Sequence, residues 1–224
     1  MAIRKTSFAV NEWYHCFNRG VDKRMIFCDT QDYYRFLEQL YLTNNTTPLR
    51  HADLGIKKFT EILQLPKKEN LVSIGAFCLM PNHFHLLLKE TSEGGITKFM
   101  QKLGTAYTMY FNSKNIRTGN LLTKPFRSQH VDTDRYFQYL INYIHCNPAE
   151  LFESKWKSGE IHDMEKLIKK LKSYPYSSLR AYEDKNVTTR SILDEYVFKI
   201  AQNKPAQTML REAQEYYREN PELP

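Results

Sequence analysis

The sequence predicts an α+β fold in which the order βαββαβ lays an antiparallel sheet against two crossover helices, followed by an added helix and a helical C-terminal extension. Three observations predict it. Strand-like alternation or short apolar runs occur at 11–18, 71–80, 83–89 and 128–131. Apolar residues recur at helical spacing in the stretches between and after them. Gly, Pro or Asn punctuates most of the junctions. Together these give the split βαβ, ferredoxin-like layout.

Taken in order, NEWYHCFN (11–18) alternates aromatic and polar residues, and Arg19-Gly20 supplies a turn. Thr30 is the expected N-cap of a helix carrying Tyr33, Phe36, Leu37, Leu40 and Tyr41 on one side. An insertion spans about 43–70, with a short amphipathic piece, FTEILQL, stopped by Pro66. LVSIGAFCLM, Pro81-Asn82 and HFHLLLK then form a hairpin of two buried strands. A second helix over 96–115 aligns Ile96, Phe99, Met100, Leu103, Tyr107 and Tyr110. A basic loop, a short strand at 128–131 and a helix over about 133–146 complete a first domain at 1–149. Beyond Pro148 a helical extension, 150–224, is expected, with helices in MEKLIKKLK, around 192–201 and over 207–217.

Composition bounds the function. The 42% hydrophobic and 25% charged fractions are those of an ordinary globular chain, so a fibrous or wholly disordered protein is excluded. Nothing approaches an eighteen-residue apolar run, and residues 1–12 lack a secretory core, so a cytoplasmic protein away from the membrane is expected. Thirty-two Lys and Arg against twenty-five Asp and Glu, a net +7, suit a polyanionic partner. The four cysteines stand singly without CxxC spacing, so free packed thiols are expected.

The chemistry concentrates in two places. On a strand, His83 and His85 point to the same face, roughly 6.5 to 7 Å apart at Cα, and can aim both imidazoles at one divalent ion. Two polar rings in an apolar hairpin are costly unless something satisfies them. On the following helix Tyr143 and Asn147 are four apart and share a face, so a phenol and an amide oxygen could join the same centre. Pro148 is expected to bias Asn147 out of helical geometry. Tyr136 and Tyr139 lie on much the same face, and the residues alone leave the choice of tyrosine open.

MPNHFHLLL (80–88) and DRYFQYLINYIHCNP (134–148) resemble the signature blocks of the HUH single-tyrosine transposases. They are most similar to the REP-associated tyrosine transposases, relatives of the insertion-sequence-200 transposases. AYTMYFNSKNIRTGNLLTKPFRS (106–128) resembles that family's helix and basic loop, and YPYSSLRAY (174–182) its downstream motif, so the likeness covers about 11–182. It departs at Leu121–Lys124, where relatives often carry an aromatic-Gln pair, and in the longer 43–70 insertion.

The resemblance implies His83 and His85 as metal ligands for Mg²⁺ or Mn²⁺, Asn147 as a third, and Tyr143 as the nucleophile. It implies single-stranded or hairpin DNA, such as palindromic repeats, as substrate, and a monomer or a homodimer. Arg19, Lys23, Arg24, Lys114, Arg117, Lys124 and Arg127 are candidate phosphate contacts in loops flanking the site. Three other readings remain: a ferredoxin-like nucleic-acid-binding module that does not cut, an HUH replication initiator, and a generic metal hydrolase that uses water in place of tyrosine.

Overall fold

The structure, a computed structural model, describes residues 7–47, 49, 51–55 and 57–220. Its sheet has four antiparallel strands, β1 (Trp13–Arg19), β2 (Val72–Met80), β3 (His83–Glu90) and β4 (Arg127–Val131), in the order β2-β3-β1-β4. The crossover helices α1 (Thr30–Thr43) and α3 (Gly95–Lys114) cover one face. This is the predicted ferredoxin-like order.

Period-2 alternation builds two cores on the two faces of the sheet. Tyr14, Cys16, Phe77, Leu79, Phe84, Leu86 and Leu88 face α1 and α3. Phe17, Ala76, Cys78, Met80 and Leu87 face the other way, toward α4 (Asp134–Cys146) and the C-terminal helices. Of these, α5 (Met164–Ser173) and α8 (Ala206–Glu219) bury Leu167, Leu171, Met209, Leu210, Ala213 and Tyr216 in that second core. The sheet is therefore covered on both sides. In the insertion, α2 (Phe59–Ile62) buries Ile62 in the first core, as the FTEILQL pattern predicts.

Local chemistry sets the boundaries. Asp29, rather than Thr30, caps α1 by accepting from the Asp32 N–H at 3.1 Å, so that helix begins one residue earlier than expected. Asn44 ends it and clamps β2, donating to the Val72 carbonyl at 2.9 Å and accepting from the Val72 N–H at 3.0 Å. Glu90, fully buried, receives the Gly95 and Ile96 N–H groups at 3.1 and 2.6 Å and so fills the N-terminus of α3. Gly20 permits the turn after β1, where a Cβ would lie 2.3 Å from the Arg24 carbonyl oxygen.

Two helical expectations are corrected. Instead of a helix across 192–201, α6 (Leu179–Glu183) and a 3-10 turn at Thr188–Ile192 precede a single-turn α7 (Val197–Ile200). Asn147 keeps right-handed helical angles (φ −53°, ψ −37°) and is fully buried, because the chain runs on from α4 into a 3-10 turn over Asn147–Leu151. Pro148 falls in the first turn of that segment, where its missing N–H has no bond to make. The Tyr-Pro-Tyr-Ser-Ser segment runs along the outer edge of β2, with Leu79 N–H on the Tyr176 carbonyl and Ser178 N–H on the Phe77 carbonyl, both at 2.9 Å.

Candidate functional site

The α4 face of the sheet carries the predicted histidines. Register places Met80, His83 and Arg19 in one row, Cys78, His85, Phe17 and Arg127 in the next, and Leu87, His15 and Gln129 in a third. The His83 and His85 rings lie 5.0 Å apart, nearly perpendicular. Above them α4 lays Tyr143, whose ring centre is 5.3 Å from that of His85. Asn147, one turn on, sets its amide beside both His83 and Tyr143. The nucleophile candidate thus sits over the histidines of its own chain.

Each histidine is held by one nitrogen. His83 Nδ1 donates to Asn82 Oδ1 at 2.7 Å, and the Asn82 amide is fixed by donating to the Lys23 carbonyl at 3.2 Å. His85 Nδ1 meets His15 Nε2 at 2.9 Å. The remaining polar atoms of the cluster are buried without a hydrogen-bond partner among the described residues: His83 Nε2, His85 Nε2, Tyr143 Oη and both ends of the Asn147 amide. Orphaned groups at this density cost stability and call for a ligand. Among the described residues no group of three or more His, Cys, Asp or Glu side chains is gathered as a metal centre. The donor set that fits a cation is two imidazole nitrogens and the Asn147 amide oxygen, with open positions left for phosphate and water.

Burial governs the electrostatics. It pushes His83 and His15 down to about 3 and His85 well below the usual histidine range; the charge of Arg19 adds to the effect on His83, and that of His83 to the effect on His85. All three rings are neutral, as ligand histidines must be. Burial also drives the Tyr143 phenol well above its ordinary value, opposed by the Asn147 amide and reinforced by Tyr217 and Glu150.

The seven candidate cations divide. Arg19 and Arg127 fall on the histidine face by register, and the Arg19 Nε is buried without a partner among the described residues. Lys23 and Arg24 lie in the turn against Asn82. Lys124 is exposed in the loop before β4. Lys114, at the far end of α3, is bonded at 2.7 Å to both Asp29 and Asp32, tying α3 to the start of α1. Arg117 is held by the Asn112 side chain and the Asn120 carbonyl. Arg19, Arg127, Lys23 and Arg24 are thus tied to the histidine face, directly or through Asn82, whereas Lys114 and Arg117 serve local structure.

Sequence reasoning missed His15, Lys157 and the aromatic roof. His15 alternates with Phe17 in WYHCFN, a signal that could have placed it on the site face. The roof could not be read locally: Tyr216 and Tyr217 of α8 stand 4.8 and 6.5 Å from the Tyr143 ring, and Lys157 lies 4.1 Å over Tyr217 while paired with Glu150 at 2.9 Å. Tyr143, His85 and Asn147 are each 0% exposed beneath this cover.

The family model described as transposase, IS200 like, matches residues 42–147, a span that contains His83, His85, Tyr143 and Asn147. That match agrees with the resemblance of the motifs at 80–88 and 134–148. A solved structure of a REP-associated tyrosine transposase bound to a REP hairpin superposes with a TM-score of 0.53. At 12% identity, over 92% of this chain and 93% of that one, the likeness is one of fold, and it includes the C-terminal region. No curated protein matches the chain. Among the described residues no helix is long and apolar enough to cross a membrane.

Proposed function

We propose that this transposase relative cuts and rejoins single-stranded or hairpin DNA through a covalent 5′-phosphotyrosine on Tyr143, with His83, His85 and Asn147 holding Mg²⁺ or Mn²⁺. The observation that carries the reading is the gathering of five buried, partnerless polar atoms from these four residues. The two imidazoles come from β3, and the phenol and the amide from α4 and its C-terminal end.

When bound, the divalent ion supplies charge stabilisation at the scissile phosphate and lowers the cost of ionising a nearby phenol. Tyr143 Oη forms the new bond to phosphorus as the bond to the 3′ oxygen breaks; the phenol gives up its proton and the released 3′ oxygen gains one. Rejoining reverses both bonds, with the energy of the phosphoester kept in the tyrosine linkage. Asn147 orients the phenol, while Arg19, Lys23, Arg24 and Arg127 hold flanking phosphates.

The test is incubation with hairpin-forming single-stranded DNA and Mn²⁺ or Mg²⁺, followed by denaturing electrophoresis. Wild type should give a denaturant-stable adduct, and Tyr143→Phe should bind the same DNA without forming one. Adducts persisting in Tyr143→Phe would reject the nucleophile. The complete burial of Tyr143 favours one other reading, a hairpin-binding module that does not cut; tight DNA binding by wild type with no adduct under either metal would select it.

A further inference from the structure

We infer that His15 is a positioning residue that accepts the Nδ1 proton of His85 and thereby keeps the His85 Nε2 lone pair facing the metal position. This rests on the reading of His83 and His85 as metal ligands and deepens it. His15 comes from a different strand, β1, yet its Nε2 lies 2.9 Å from His85 Nδ1, with the two rings close to parallel at 24° and their centres 5.1 Å apart. Both side chains are 0% exposed, so water cannot substitute for either partner.

The two ligand histidines form a matched pair in this respect. His83 has its Nδ1 on an amide oxygen whose orientation is fixed by the Lys23 carbonyl, which forces the proton onto Nδ1 and leaves Nε2 with a lone pair. His85 needs the same tautomer to serve the same centre, and His15 Nε2 is the acceptor placed to enforce it. Metal-bound imidazoles usually hand this proton to a carboxylate or a carbonyl oxygen. Here the acceptor is a neutral ring whose own Nδ1 is buried without a partner among the described residues. A contact of this kind orients the ligand without adding negative charge next to the metal, in a donor set that itself contains no carboxylate.

Three variants and one measurement on the unaltered protein test the assignment. Mn²⁺ affinity, read by titration calorimetry and by the electron-spin signal of the free ion, should fall about ten- to a hundredfold in His15→Phe, which keeps a ring and removes the acceptor. His15→Gln, whose amide oxygen can stand near the Nε2 position, should recover most of that loss. His85→Ala controls for the underlying reading. If wild type binds Mn²⁺ no better than His85→Ala, the metal site itself fails. If His85→Ala abolishes binding while His15→Phe binds as wild type, the inference alone fails. Equal losses in folded His15→Phe and His15→Gln would make His15 a packing residue and also overturn it. Should His15→Phe not fold, long-range nitrogen–proton spectra of Mg²⁺-loaded wild type decide: a proton on His85 Nδ1 and none on His15 Nε2 supports the assignment, and the reverse overturns it.

Discussion

Glu90 ends β3 and begins α3 with one side chain, and its two carboxylate oxygens take the two backbone N–H groups that open the helix. Removing it strands both donors where no water reaches, so Glu90→Ala should cost about 3 kcal/mol, measured as a shift in urea midpoint at constant slope. Glu90→Gln, which keeps one acceptor, should cost less; equal losses would mean that packing, rather than the bonds, matters there. Asn147 teaches the opposite lesson at the same scale. From the sequence, the following proline argues for a displaced side chain, a rule that holds for isolated helix ends. The structure absorbs Pro148 in a 3-10 continuation, and Asn147 stays helical and buried. What was legible in the four site residues was their spacing. What was not was whether the chain after Asn147 would support it, because that depends on residues packed from elsewhere.

Among the elements, α8 covers Tyr143, the residue that the proposed reaction would use. Glu212 of α8 receives the Asn142 amide of α4 and, at 2.6 Å, the Lys204 ammonium; Tyr216 meets the Tyr136 hydroxyl at 3.0 Å; Gln214 donates to the Trp156 carbonyl at 2.7 Å. With the Tyr143 phenol 0% exposed, the proposed cleavage would need α8 to move aside. Loosening one latch by about 1.4 kcal/mol raises the open population about tenfold. Glu212→Ala should therefore form the DNA adduct about ten times faster than wild type while melting at a lower temperature, and an unchanged or slower rate would show that opening does not limit the reaction. The βαββαβ core was readable because each of its elements carries its own period and punctuation. The position of α8 was not, since an amphipathic pattern announces a buried face without naming what it covers. Residues 192–201 show the limit of pattern reading, where helical spacing outran a chain that makes one turn of helix.

Across the whole molecule, four neutral histidines are sealed in the second core: His15, His83 and His145 at about 3, and His85 lowered further, all chiefly by burial. Above pH 6.5 they are neutral whether the chain is folded or not, and they leave stability independent of pH. Between 6.5 and about 3 the unfolded chain takes up protons that the folded chain refuses, so stability falls as pH falls, by up to about 1.4 kcal/mol per unit for each ring. Urea titrations in metal-free buffer should give a markedly lower midpoint at pH 5 than at pH 8, and equal midpoints would contradict neutral burial of the set. A sheet of four strands has two open margins, and this one closes the β2 margin itself. The segment around Ser177 occupies backbone groups of Phe77 and Leu79 that another strand would otherwise take up. Strand addition by a second molecule is then left to the β4 margin, the strand that carries Arg127 and pairs with β1. Any growth of this sheet by strand addition is thereby steered to the margin two strands away from His83 and His85, while the margin beside their strand is already capped by the chain's own downstream residues.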